Sequence, residues 1–222
     1  MEALLAFTAT LVSLRLSADL VRRYRARPAP GLLIWAGALA AFAAGSGALA
    51  WGAAAGWSDP AFRVYYLFGG LLAAALLGAG SLDRAGVRRI GPLTLVYVGL
   101  AVGIAVAVPL TAPVSGSSIP EAQAHLALFP ARILAIAANS LGTLAAVTVA
   151  LLGLRRRPLG NALILAGLLV AGLGSALAGL GEAESSLYSA VAAVLLYGGF
   201  VAPSRASEPA PDAHPGPAGA AP

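Results

Sequence analysis

Apolar residues run along this chain in long unbroken stretches separated by short polar breaks. Seven stretches come close to the roughly 20 residues that a helix needs to cross about 30 Å of hydrocarbon: 3–21, 31–52, 62–82, 90–111, 131–153, 159–180 and 186–202. Membrane β-strands would alternate apolar and polar positions over about ten residues. These runs are continuous and rich in Ala and Leu, so they predict helices. The expected fold class is all-α: a polytopic membrane protein whose residues 1–202 form a seven-transmembrane-helix bundle. Residues 203–222 contain six prolines among Ala, Gly and Ser, the composition of a disordered tail.

Composition supports lipid as the solvent. Hydrophobic residues make up 59% of the 222 and charged residues only 10%, whereas a soluble domain is about a quarter charged. A core holding this much Ala, Leu, Val and Gly would leave too little polar surface for water. The N-terminus opens on Glu2 without a basic region, so the first apolar run is expected to be a span and not a cleaved signal.

The breaks carry the charge, and they alternate. Arg22, Arg23, Arg25 and Arg27 fill 22–30; Arg84, Arg88 and Arg89 fill 83–89 beside Asp83; Arg155, Arg156 and Arg157 fill 154–158. The intervening breaks at 53–61, 112–130 and 181–185 carry Asp59, Glu121, Glu182 and Glu184 and no Arg. Arg-rich loops mark the cytoplasmic side. The expectation is therefore a multi-pass protein of the plasma (inner) membrane, N-terminus outside and C-terminus cytoplasmic. The sequence pI of about 10.2 suggests phosphate binding, but arginines clustered between spans are the pattern of membrane loops, so nucleic acid is not an expected partner.

Several chemistries are excluded. There is no Cys, hence no disulfide, thiolate metal site or Cys nucleophile. All fourteen basic residues are Arg, which excludes a Schiff base on lysine and with it a retinal linkage. No HExxH, GxSxG, Walker or dinucleotide fingerprint is present. The chain is read as no enzyme, with no cofactor and no metal. Glu121 and His125 stand four apart, a spacing that suits metal ligation, but one His and scattered acids are too few to assign a site.

Polar residues within the runs are the site candidates, because an unpaired ionisable group in lipid costs several kcal/mol. Arg15 and Asp19 share a helix face and are expected to pair near the cytoplasmic surface, turned toward other helices. Arg132, Asn139 and Thr143 also share a face and are the candidate ligand lining. Trp57, Asp59, Tyr65 and Tyr66 suit the interfacial aromatic belt, or a polar mouth together with Glu121 and His125. In the break at 112–130, Ser118-Ile119-Pro120-Glu121 resembles a capping box before a short surface helix over roughly 119–128, with Leu126, Leu128 and Phe129 on the membrane.

One further pattern bears on function. An offset of 129 lays Gly45-Ser46 on Gly174-Ser175 and Gly69-Gly70 on Gly198-Gly199. This suggests a 3+1+3 parallel repeat of the kind found in transporters. The interior is nearly free of charge, which points first to a membrane-embedded sensing, binding or scaffolding module. Its partners would be the lipid bilayer, a second protein, or a small apolar or neutral ligand. The alternative is a transporter of a small neutral solute. A polar path through the whole bundle would favour transport, and a packed bundle with one open groove would favour binding.

Overall fold

The computed structural model describes residues 2–179 and 185–202, and its ordered elements among these are all helical. Eight helices are described: α1 Glu2–Ala26, α2 Pro30–Ala55, α3 Asp59–Arg84, α4 Ile90–Ala107, the single turn α5 Ala122–His125, α6 Leu128–Leu152, α7 Pro158–Gly179 and α8 Ser185–Val201. Five of them, α1–α4 and α6, are long and apolar enough to cross a membrane. The apolar stretches found in α7 and α8, Pro158–Gly174 and Ser186–Val201, are shorter. The predicted tail, 203–222, lies outside the described residues, as do Glu182 and Glu184.

Proline sets several of the helix ends. Pro30 and Pro158 open α2 and α7, where a missing N–H costs nothing and φ is already helical. The fourth run extends to residue 111 by hydropathy, yet α4 stops at Ala107. Val108 is extended (φ −75°, ψ 122°) because Pro109 follows it.

The bundle is a ring. α1 lies against α2, α2 against α3, α3 against α6, α7 against α8, and α8 returns to α1; α4 leans on the outside of α3. α6 and α7 touch sparingly. Contacts are close because small residues meet. Gly45 of α2 stands where an added Cβ would reach 2.9 Å from the Gly69 nitrogen of α3. Added Cβ atoms at Gly78 of α3 or Gly142 of α6 would overlap the main chain of the opposite helix. Such approach lets dispersion and weak polar contacts hold helices together where lipid offers no hydrophobic drive. Leu16, Leu20, Leu39, Phe62, Leu71 and Leu72 fill the core, while Leu95, Val96 and Val106 of α4 stay exposed.

The Arg-rich ends gather on one side. Arg23 of α1 donates to the Phe200 carbonyl of α8, and Arg157 donates to that of Ala202. Cations at these carbonyls satisfy the groups a helix leaves open and offset its negative end. Arg84 sits 5.0 Å above the Trp35 ring, which meets Phe200 edge-on. Burial first, and then the charges of Arg84 and Arg23, hold the Arg157 guanidinium below its ordinary pKa.

The repeat matches this packing only in part: α2–α3 corresponds to α7–α8, and α3–α6 to α8–α1, but other contacts differ. Gly45 meets Gly69, whereas Gly198, matched to Gly69, meets the Leu163 side chain. α1 and α2 pack closely, whereas their counterparts α6 and α7 barely touch.

Candidate functional site

A cavity of about 460 Å³ opens at the end of the ring opposite the arginine clusters. α2 contributes Phe42, Gly45, Ser46 and Leu49, and α3 contributes Phe62, Tyr65, Tyr66, Gly69 and Gly70. Ile119–Gln123 lie over it, α6 supplies Arg132, Ala135, Ile136 and Asn139, α7 supplies Ala171 and Gly174, and α8 supplies Ser189. Its size falls in the range of small-molecule sites, mostly apolar with a few placed polar groups.

The wall formed by α3 is unusual. Between Tyr66 and Leu72 the helix widens to a π-helical turn. A wide turn leaves carbonyls poorly satisfied, and such turns recur at functional sites. Two neighbours satisfy them: Asn139 Nδ2 donates to the Gly70 carbonyl at 2.8 Å, and Tyr97 of α4 donates its hydroxyl to that of Leu71. Asn139 thus serves as a link between helices. Its other atom, Oδ1, is buried without a partner among the described residues.

Arg132 and Asn139 both line the cavity; Thr143, expected on the same face, does not. The reason is depth. Thr143 follows Gly142, where α6 closes on Ala74 and Gly78 of α3 and leaves no space. Arg132 makes no ion pair with an acid among the described residues. Glu121 lines the same mouth and accepts a hydrogen bond from Gln123 Nε2 at 2.7 Å.

The segment above the cavity differs from the helix predicted over 119–128. Only Ala122–His125 is helical, and no side chain caps it. The segment is tied down as a flap instead. Val114 N donates to Asp59 Oδ1 at 2.7 Å, Trp57 N to the Gly116 carbonyl at 2.8 Å, and Thr111 N to the His125 carbonyl at 2.9 Å. Val114 and Leu126 are buried, while Leu128 and Phe129 remain exposed. The His125 ring lies 5.5 Å from that of Phe62, and its Nδ1 faces the Ala112 carbonyl, so it does not join Glu121 in a ligand pair. Trp57 is 5% exposed, stacked edge-on against Tyr65 over Gly52, and so is not part of an interfacial belt.

The Arg15–Asp19 pair stands apart from the cavity. Arg15 Nε lies 3.7 Å from Asp19 Oδ1, and Arg22 shares the same carboxylate. The Arg15 side chain is 66% exposed and points away from other helices, contrary to the inward orientation expected; Asp19, at 15%, is the sheltered partner. α1 buries Ser13, Leu16, Ser17 and Leu20 against its neighbours, which turns Arg15 outward.

No family model, no curated protein and no solved structure matches this chain. Fold and site together define a helical protein with several apolar helices suited to membrane insertion. The π-helical turn and the flap were missed by sequence reasoning.

Proposed function

We propose that this chain is a seven-span protein of the inner membrane that binds a small ligand in a cavity open to the outer side. Its N-terminus would be outside, and it would act as a sensing or binding module, not an enzyme. Alternating Arg-rich and acidic loops support the orientation. The observation that carries the binding reading is the cavity at one end of the bundle, with Arg132 and Asn139 in its wall. Below it, Gly78 and Gly142 bring α3 and α6 into main-chain contact. A transporter would need a second opening there.

Reconstitution in liposomes tests this. Glycerol and small sugars should enter no faster than into empty liposomes. Ser46→Cys, on the Cys-free background, should react with a membrane-impermeant maleimide only from the side of the 112–130 loop. Solute entry above the empty-liposome rate would overturn the reading in favour of transport.

A further inference from the structure

The cavity has a second opening, sideways. Ile136 lines it and is 60% exposed. α6 and α7 meet where they are joined, with Gly153 against Asn161, and make few other contacts. Ala171 and Gly174 of α7 border the cavity from the far side, and among the described residues nothing lies within 4 Å of a Cβ placed at Gly172. Leu169 and Leu173 of α7 and Ile133 of α6 are exposed apolar side chains on these two helices. In a bilayer, a gap between two such helices opens onto acyl chains.

Resting on the binding reading above, we infer that the ligand is an anionic amphiphile of the outer leaflet, whose headgroup enters between α6 and α7. Charge selects the headgroup. Arg132 lines the cavity without an acid within ion-pair distance among the described residues, and guanidinium suits a phosphate or carboxylate bidentately. Glu121 is the opposing charge at the mouth, and its carboxylate is engaged by Gln123. Phosphatidylglycerol carries such a phosphate anion. The apolar part of the lining, Phe42, Leu49 and Ile136, suits the start of an acyl chain, and the remainder of the chain stays in the bilayer.

Photo-crosslinking of the full chain in phosphatidylcholine vesicles decides the matter. The probe is phosphatidylglycerol with a diazirine in one acyl chain, and adducts are mapped by peptide mass spectrometry. Adducts should concentrate in 133–140 and 169–174 over the exposed Leu95 and Val96 of α4, and excess unlabelled phosphatidylglycerol should remove them. Arg132→Gln should reduce them about tenfold, the effect of losing one charge-assisted contact, and Arg132→Lys, which keeps the charge but not the two-point contact, should fall between the unaltered chain and Arg132→Gln. A phosphatidylcholine probe should label α4 and α6 alike. Adducts spread evenly over exposed helices, or unchanged by Arg132→Gln, would overturn the inference. If a soluble phosphate ester shields Ser46→Cys while lipid adducts stay even, the binding module stands and its lipid ligand falls.

Discussion

Asn139 on α6 reaches across to the main-chain oxygen of Gly70 on α3, 2.8 Å away, at the point where α3 widens into a π-helical turn. The contact joins two features that look unrelated in sequence: a lone amide in an apolar run and a pair of glycines seventy positions earlier. A π turn presents a carbonyl that its own helix does not fully satisfy, and in lipid no water can replace the missing donor. The amide supplies it.

Removing that donor should therefore cost stability. Asn139→Leu should lower the stability of the detergent-purified protein by about 1 kcal/mol, within the range of interhelical hydrogen bonds. For a chain of this size that corresponds to a melting temperature about 2–4 °C lower. Thr143→Val, one turn deeper and away from the cavity, should leave the melting temperature unchanged. An equal loss at both positions would mean that Asn139 matters only as a polar residue in the helix.

The glycines separate into two groups that composition cannot distinguish. Gly142→Leu should destabilise by about 1–3 kcal/mol or more, the range for forced overpacking, because its Cβ would meet the main chain of Ala74 and Ala75. Gly99→Ala and Gly103→Ala, in the GxxxG of α4, should be neutral or slightly stabilising, since no atom lies within 4 Å of either added Cβ. Thermal melts of the three variants check the contrast. A GxxxG substitution as costly as Gly142→Leu would point to a partner covering α4.

These cases show how far the sequence could be read. Hydropathy located the five helices long and apolar enough to cross a membrane and the two shorter apolar ones, because such runs are a property of local composition. It could not reveal the π turn, since hydrogen-bond register leaves no trace in residue polarity. It placed Arg132 and Asn139 together by helical spacing, but it also included Thr143, whose exclusion depends on how closely α3 approaches at Gly142. It placed Trp57 in an interfacial belt, whereas the glycine at position 52 leaves room for the ring to fold onto α2. Pairwise approach between helices, not the character of each helix, decided every one of these differences.

At the arginine-rich end, the shared carboxylate sets an order of effects. Asp19 is mostly sheltered and faces both Arg15 and Arg22, whose side chains are largely exposed. Asp19→Asn should lower thermal stability more than Arg15→Gln, because it leaves two cations without their acid while Arg15 is already free to reach headgroups. The double variant should be no worse than Asp19→Asn alone. If Arg15→Gln were the more damaging change, the outward placement of Arg15 would be wrong.

Orientation can be measured on the same Cys-free background. Ser117→Cys should be labelled by an impermeant maleimide from outside intact cells, and Gly86→Cys and Arg156→Cys only after permeabilisation. The reverse pattern would invert the protein and put the cavity on the cytoplasmic side.

The flap should control entry to the cavity from that outer side. Asp59 holds it by accepting a hydrogen bond from Val114 N, and the Trp57 main chain adds a second tie at Gly116. Asp59→Ala removes the charge-assisted one of the two, a contact worth about 1.5–3 kcal/mol. Core packing of Val114 and Leu126 remains, so the flap should loosen without the bundle unfolding. Labelling of Ser46→Cys by an impermeant maleimide should then be about tenfold or more faster in the Asp59→Ala background, with little change at Ser117→Cys, which already lies on an exposed stretch. A rate at Ser46→Cys unaffected by Asp59→Ala would mean that reagents enter through the gap between α6 and α7, and that the flap is not the gate.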